Sequence, residues 1–301
     1  MFVSQDNVNL SPEPRNIALT GCVLASATAF ITQLIAAPSY NPEVTTWQEI
    51  KPPPKSRTAQ REMWISAANY SNVEWQIKRD GNSVRANLVS NPVTQSFPRP
   101  NFVPKAEQFT GAGAVQRIDD GWLVGFNHGE FGAALYWFSP NGQQKYKISN
   151  DQVVDFLTTP QGVFAIQGLA HLVMSEGSLI RVVRDPQTAR WTSRTTKKLP
   201  EAPTAFVRLS NGSLIPVLTG SLVSLSPSGE LATLFKEANW TELYANSAVL
   251  SGDESKLYIG MRQFVAEVDL RSKTFKYLIP NRTFLNKLSK EEEQQVRESL
   301  R

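Results

Sequence analysis

The sequence predicts an all-β chain built from one repeated four-stranded unit, and three observations carry that prediction. Short apolar runs such as "WLVGF", "LYWF", "VFAI" and "LYIG" recur between turns rich in Gly, Asn, Asp and Ser. Runs of that length and composition read as strands buried on both faces. The order within each unit is also constant: strand, polar turn, strand, break, strand, polar turn, strand. Finally, the first turns fall at Gly121, Gly162, Gly212 and Ser255, separations of 41, 50 and 43 residues.

The first unit reads "AVQRIDDGWLVGF … AALYWFSPNGQQKYKI" and the second "VVDFLTTPQGVFAIQ … HLVMSEGSLIRVV". The third is "TAFVRLSNGSLIPVL … SLVSLSPSGELATLF" and the fourth "SAVLSGDESKLYIGM … FVAEVDLRSKTFKYL". Four strands in about 40–45 residues is the blade period of a β-propeller. A β-sandwich also yields many short strands, but it does not repeat the same turn grammar four times. Over Gly113 to Pro280 the chain therefore resembles the broad class of β-propeller repeat proteins. It carries no tryptophan-aspartate signature, kelch glycine pair or aspartate-box consensus that would name a subfamily.

Upstream, "EMWISAANYSNVEWQIKRDGNSVRANLV" alternates and turns at Asp80-Gly81, a hairpin signal. The segment Met63–Val89 is expected to supply a fifth, divergent blade. The expected fold is thus all-β, a β-propeller of about five four-stranded blades, preceded by an N-terminal apolar helix and followed by a short C-terminal helix. In "FLNKLSKEEEQQVRESLR", Ser289 followed by Glu292 makes a capping box for that last helix. The corresponding domains are 1–37, a signal peptide or membrane anchor; 38–57, a proline-containing linker; 58–282, the propeller; and 283–301, the helical tail.

From Ile17 to Ala37 the chain reads "IALTGCVLASATAFITQLIAA", with no formal charge. About 20 apolar residues suffice to cross a bilayer. Ala25, Ala27, Ala29 and Ala37 offer small-residue cleavage points, so a cleaved signal and a retained anchor both fit. "LTGC" at Leu19–Cys22 looks like a lipobox, but its apolar stretch lies after Cys22 rather than before it, which disfavours lipidation. The expected location is extracytoplasmic, periplasmic or secreted, with residues 17–37 able to hold the chain at a membrane.

The composition sets further bounds. The 301 residues carry a net charge of +4 and are 41% hydrophobic, a globular balance too weakly basic to imply nucleic acid. The single cysteine, Cys22, removes both an intrachain disulfide framework and a cysteine nucleophile from the body. No G-x-S-x-G, P-loop or Rossmann glycine cluster occurs, and neither a cofactor nor a metal is expected.

Propeller topology then locates a site. Loops joining second to third strands lie on one face, with the connections between blades. That register places "NHGEFG" (Asn127–Gly132), "QGLAH" (Gln167–His171), Thr219-Gly220 and Arg262-Gln263 on a common surface. Both histidines of the chain fall there. Asn127, His128, Glu130, Gln167, His171, Arg262 and Gln263 are the candidate binding residues of this mouth. His128, Glu130 and His171 would be the catalytic set if the protein were an enzyme, since general acid–base work needs an oriented imidazole. Three such groups make an incomplete metal site, and loop histidines are commonly satisfied by backbone groups.

The second repeat separation, read as an insertion of about nine residues in the third unit (50 against 41), contains "RVVRDPQTARWTSRTTKK", which gathers basic residues around an aromatic. Arg184, Arg190, Trp191 and Arg194 are its candidate binding residues, suited to anionic partners. Asp119-Asp120 and Asp253-Glu254 read as turn chemistry on the opposite face. The function expected is that of an exported or membrane-tethered binding module whose loop face takes a peptide, protein or glycan of the cell envelope, with no nucleic acid. A hydrolase or lyase using His128, Glu130 and His171, and a structural assembly subunit of the envelope, are the alternatives.

Overall fold

The computed structural model describes residues 39–89, 101–103, 112–172, 174–236, 238, 240 and 242–301. The apolar helix expected over 17–37 lies outside the described residues. Among the described residues, no helix is long and apolar enough to cross a membrane.

The body from Pro38 to Arg301 is one compact unit dominated by antiparallel sheets. A clip strand β1 (Gln48–Ile50) and helix α1 (Thr58–Asn69) come first, then the hairpin β2 (Trp75–Asp80) and β3 (Ser83–Leu88). The first four-stranded sheet follows: β4 (Ala112–Ile118), β5 (Gly121–Asn127), β6 (Ala133–Phe138) and β7 (Lys145–Ser149). The second is β8 (Val153–Thr159), β9 (Gly162–His171), β10 (Met174–Arg184) and β11 (Trp191–Leu199). The third is β12 (Pro203–Arg208), β13 (Leu214–Leu218), β14 (Leu222–Leu225) and β15 (Leu231–Phe235). The fourth is β16 (Ser247–Leu250), β17 (Lys256–Gly260), β18 (Val265–Asp269) and β19 (Thr274–Ile279), and helix α2 (Lys290–Ser299) ends the chain.

Each sheet is a simple up-and-down meander, and the four coincide with the four sequence repeats. First strands adjoin in succession: β4 packs on β8, β8 on β12, β12 on β16, and β16 on β2. Two glycines show how closely neighbouring sheets approach. A Cβ on Gly125 of β5 would lie 2.6 Å from the Val153 side chain of β8, and one on Gly260 of β17 would lie 2.4 Å from the Trp75 carbonyl oxygen of β2. Inner strands are apolar because both faces are covered; β13 is buried along its whole length. Outer strands are not: β11, "WTSRTTKKL", is largely exposed and carries Arg194, Lys197 and Lys198 along the sheet margin. Charged margins of this kind discourage pairing with other chains.

The fifth unit differs from its expectation. Met63–Val89 does not form four strands, because Thr58–Asn69 is helical and only β2 and β3 pair. "TAQREMWISAAN" contains no Gly or Pro and few β-branched residues, so helix propensity wins over the alternation.

The connector expected over 38–57 is packed along much of its length. Residues Gln48–Ile50 pair with β19 as the fifth strand of the fourth sheet, Gln48 opposite Ile279. Just before them, Glu43 bridges to Arg85 and the Pro42 carbonyl accepts the Ala86 amide at 2.9 Å. The segment therefore ties β3 to β19. Its core is aromatic: Tyr40, Trp47, Trp75 and Phe284 meet edge-on or tilted at 4.8–6.2 Å between ring centres. At the other end, α2 has the anticipated capping box, Ser289 accepting from the Glu292 amide and Glu292 accepting from the Ser289 amide.

Candidate binding face

Successive antiparallel strands put second-to-third turns and sheet-to-sheet connections at one end of the body, here the upper face. Cross-sheet contacts show that these ends share a surface. The Glu130 carboxylate, in the turn after β5, lies 2.8 Å from His171 Nε2 at the end of β9. Ser175 Oγ meets Thr219 Oγ1 at 2.9 Å, linking the second and third units. Arg262 donates to the Asn69 carbonyl at 3.0 Å, linking the fourth sheet to the end of α1.

The short 3-10 turn Gly129–Phe131 explains how the first loop is held. Asn127 Oδ1 accepts the Gly129 amide at 2.8 Å, and the His128 amide donates to the Gly132 carbonyl at 2.9 Å. Glycine suits positions 129 and 132 because both have positive φ, 62° and 113°. Gln152, in the connection between β7 and β8, donates to the Gly129 carbonyl at 2.6 Å, and Gln167 donates to Ser178 Oγ at 2.6 Å. Asn127 thus shapes the loop that follows it, whereas Gln167–His171, expected as a break, continues strand β9, and Gln167 ties that strand to β10.

Glu130 is brought to His171 and not to His128. The His128 Nε2 is buried with no hydrogen-bond partner, and His128 lines a hollow of about 660 Å³ of mixed character together with Phe131, Tyr136, Lys147, Asp151 and Gln167. Glu130 and His171 sit on a ridge outside that hollow, each partly exposed. Among the described residues no group of three His, Cys, Asp or Glu side chains could hold a metal ion.

Arg262 and Gln263 occupy the fourth turn in different ways. Gln263 is buried at φ 65° and is used by the fold. Its amide donates to the Val73 carbonyl, its own carbonyl accepts Trp75 Nε1, and its side chain joins the Phe284 carbonyl to the Asn286 amide. Arg262 lies 3.6 Å from Glu74 and stacks 3.8 Å over the Tyr244 ring. Asn246 donates to the other Glu74 oxygen at 3.0 Å. Glu201 plays the equivalent part in the third unit, accepting from Thr219 Oγ1 at 3.1 Å and the Gly220 amide at 2.5 Å.

The basic insertion belongs to the second sheet rather than the third unit; it lies at the lower face, in the turn between β10 and β11, and its members clasp the preceding sheet. Asp120 accepts the indole N–H of Trp191 at 3.0 Å and of Trp137 at 3.3 Å, and pairs with Arg184 at 3.3 Å. Arg190 stacks over Tyr146, whose hydroxyl accepts the Trp191 amide at 2.7 Å. Arg184, Arg190 and Trp191 are therefore engaged in joining two sheets, whereas Arg194 stands exposed on β11. Asp120 is an inter-sheet anchor as well as a turn former, which its adjacency to Asp119 did not indicate.

The upper face has a further property. Six large apolar or aromatic side chains stand exposed among the described residues: Tyr70, Phe131, Leu172, Met174, Tyr244 and Leu300. All but Leu300 lie in upper-face turns and connections or, as Met174 does, at the strand end beside one. Phe131 is 86% exposed and Leu172 is 90% exposed, each next in sequence to a member of the Glu130–His171 pair. Sequence reasoning passed over them, although "FGA" and "HLVM" place apolar residues where a turn would normally be polar.

No protein-family model matches the chain, and no curated protein matches it. Similar solved structures include virginiamycin B lyase from Staphylococcus aureus, at 13% identity over 58% of this chain and 58% of that one, TM-score 0.38. A streptogramin B lyase structure gives 12% identity over 60% and 58%, TM-score 0.41. A chain of a nidogen/laminin complex gives 12% identity over 71% and 94%, TM-score 0.39. The chain spans 58% of the length of the two lyases, less than two thirds. These likenesses are generic. The sheet order itself carries the architecture: four consecutive meanders whose first strands adjoin. The chain has a β-propeller repeat fold, and no subfamily of that fold is singled out.

Proposed function

We propose that the protein is a binding module that engages a protein partner through its upper face. The observation that carries this reading is the placement of exposed apolar groups: five of the six lie at one end of the body. Apolar groups gathered on one surface characterise interaction sites, whereas singly scattered ones do not. Around them, Glu130, His171 and the partly exposed Arg262 supply the polar rim usual at such interfaces. The module acts outside the cytoplasm in this reading, exported or held at a membrane by residues 17–37, and a role as an assembly subunit of the envelope is one form it can take. N-terminal sequencing of the mature protein tests the export part. For the binding part, tagged full-length chain is isolated from its host with and without Phe131→Ser and Leu172→Ser. Partners retained equally by the variant would overturn the reading.

A second reading rests on the Glu130–His171 contact. A carboxylate at 2.8 Å orients an imidazole for general acid–base work, so a hydrolase or lyase would use His171 with Glu130 behind it. His128, whose Nε2 faces no partner, would not share that task. Neither Glu130 nor His171 lines the hollow beside them, which favours binding over catalysis.

A further inference from the structure

Beside the upper-face turn of the fourth sheet lies a groove of about 530 Å³ that the loop-face reading does not use. Its floor is Trp64 of α1 stacked on Phe264, ring centres 4.6 Å apart and planes 9° from parallel. One wall is the Pro52–Pro54 run. It is fixed in place by Arg61, which donates to the Pro53 carbonyl at 3.0 Å, and by the Arg57 amide, which donates to the Pro54 carbonyl at 2.9 Å. The opposite wall is held by Asn286, whose amide donates to Gln263 and whose side chain donates to the Ala67 carbonyl at 3.0 Å. Both walls are therefore preformed, which lowers the ordering cost of binding.

Charge gives the groove its direction. Lys51, Arg57 and Lys287 line it, and no Asp or Glu does. None of the three has an ion-pair partner among the described residues; the Arg57 guanidinium makes a 3.4 Å hydrogen bond to the uncharged Gln60. An apolar, aromatic floor rimmed by uncompensated cations is complementary to an apolar side chain flanked by carboxylates. We infer that this groove binds an extended peptide segment of the partner that presents an aromatic or aliphatic anchor between acidic residues. The inference rests on the binding-module reading and names the chemistry of the ligand. It also gives a use to the proline run, whose rings fix φ and so stiffen that wall.

The test is selection of random phage-displayed dodecapeptides on the immobilised full-length chain, followed by affinity measurement on a synthetic peptide from the leading group. Acidic sequences with an aromatic or aliphatic centre should be enriched. Reversing two rim charges, in Lys51→Glu/Lys287→Glu, should weaken the synthetic peptide about tenfold, and rising salt should do the same. Both lysines are exposed, and Lys51→Gln/Lys287→Gln, with an unchanged thermal transition, controls for unfolding. Basic or uncharged winners, no enrichment, or full affinity in both double variants would overturn the groove. Peptides lost in Phe131→Ser/Leu172→Ser but kept by the lysine variants would sink the groove while sustaining the upper-face reading. Host partners retained by Phe131→Ser/Leu172→Ser would sink that reading instead.

Discussion

Asp120 holds Trp191 across a sheet boundary: its carboxylate accepts the indole N–H at 3.0 Å while a second oxygen pairs with Arg184. Two hairpin turns from successive units are thereby fastened at the lower face. The insertion that lengthens the second unit supplies the Trp and Arg of this clasp.

Removing that acceptor should be costly. Asp120→Ala leaves two indole donors and a guanidinium without their shared partner, a loss of about 2–3 kcal/mol. Asp120→Asn, which keeps one acceptor oxygen, should lose about half as much. Urea denaturation of the two variants checks the order; equal stability of all three proteins would refute the clasp.

The Glu130–His171 pair should behave differently. Both side chains are partly exposed, so either Glu130→Gln or His171→Gln is expected to change stability by less than about 1 kcal/mol. A loss well above that in thermal melts would mean that the pair holds the two tips in place rather than decorating them.

Glu267 is the buried acid of the fourth sheet. Burial alone would raise its pKa, but hydrogen bonds from Lys256, Lys276 and Tyr258 outweigh it and hold the carboxyl below the usual range. A depressed pKa in the folded state means a contribution present at neutral pH, above the unfolded value, and lost as pH falls through the folded one. Stability should therefore decline on acidification below about pH 4.5, and Glu267→Gln should flatten that decline. At pH 7 the same variant is expected to cost roughly 1–2 kcal/mol, since the two lysines keep partial access to water. An unchanged acid profile would contradict the assignment.

The N-terminal clip makes a further stability prediction. Trp47 is nearly buried against Trp75, and its indole donates to the Asn41 carbonyl at 2.7 Å. Trp47→Ala should cost about 3–5 kcal/mol and expose the β3 and β19 margins together. Denaturation monitored by hydrogen exchange of β2, β3 and β19 amides reads both effects; loss confined to the clip would refute the tie.

Much of this architecture could be read from the chain. The four sheets match the repeats because turn residues such as Gly121, Gly162 and Gly212 punctuate apolar runs whose lengths suit strands. The shared face of His171 and Glu130 followed from strand alternation alone. What was not legible depended on distant partners. Nothing near Asp120 announced Trp191, and nothing near Gln263 announced Trp75 and Phe284. Tyr40 to Ile50 looked like a connector because Pro42 and its polar residues obscure two single aromatics, Tyr40 and Trp47, that pack against residues far along the chain such as Trp75 and Phe284. Alternation over Met63–Val89 also hid a helix, as short stretches fit both periods. The exposed Phe131 and Leu172 were visible as letters, but only the geometry shows that their neighbours Glu130 and His171 touch.

The most direct measurement replaces Phe131 and, separately, Lys273 in the lower-face turn of the fourth sheet with a photo-crosslinking phenylalanine in the full-length chain. Irradiated in the native host, the Phe131 position should yield discrete protein adducts and the Lys273 position none. Adducts from Lys273 with none from Phe131 would contradict the assignment of the upper face as the binding surface.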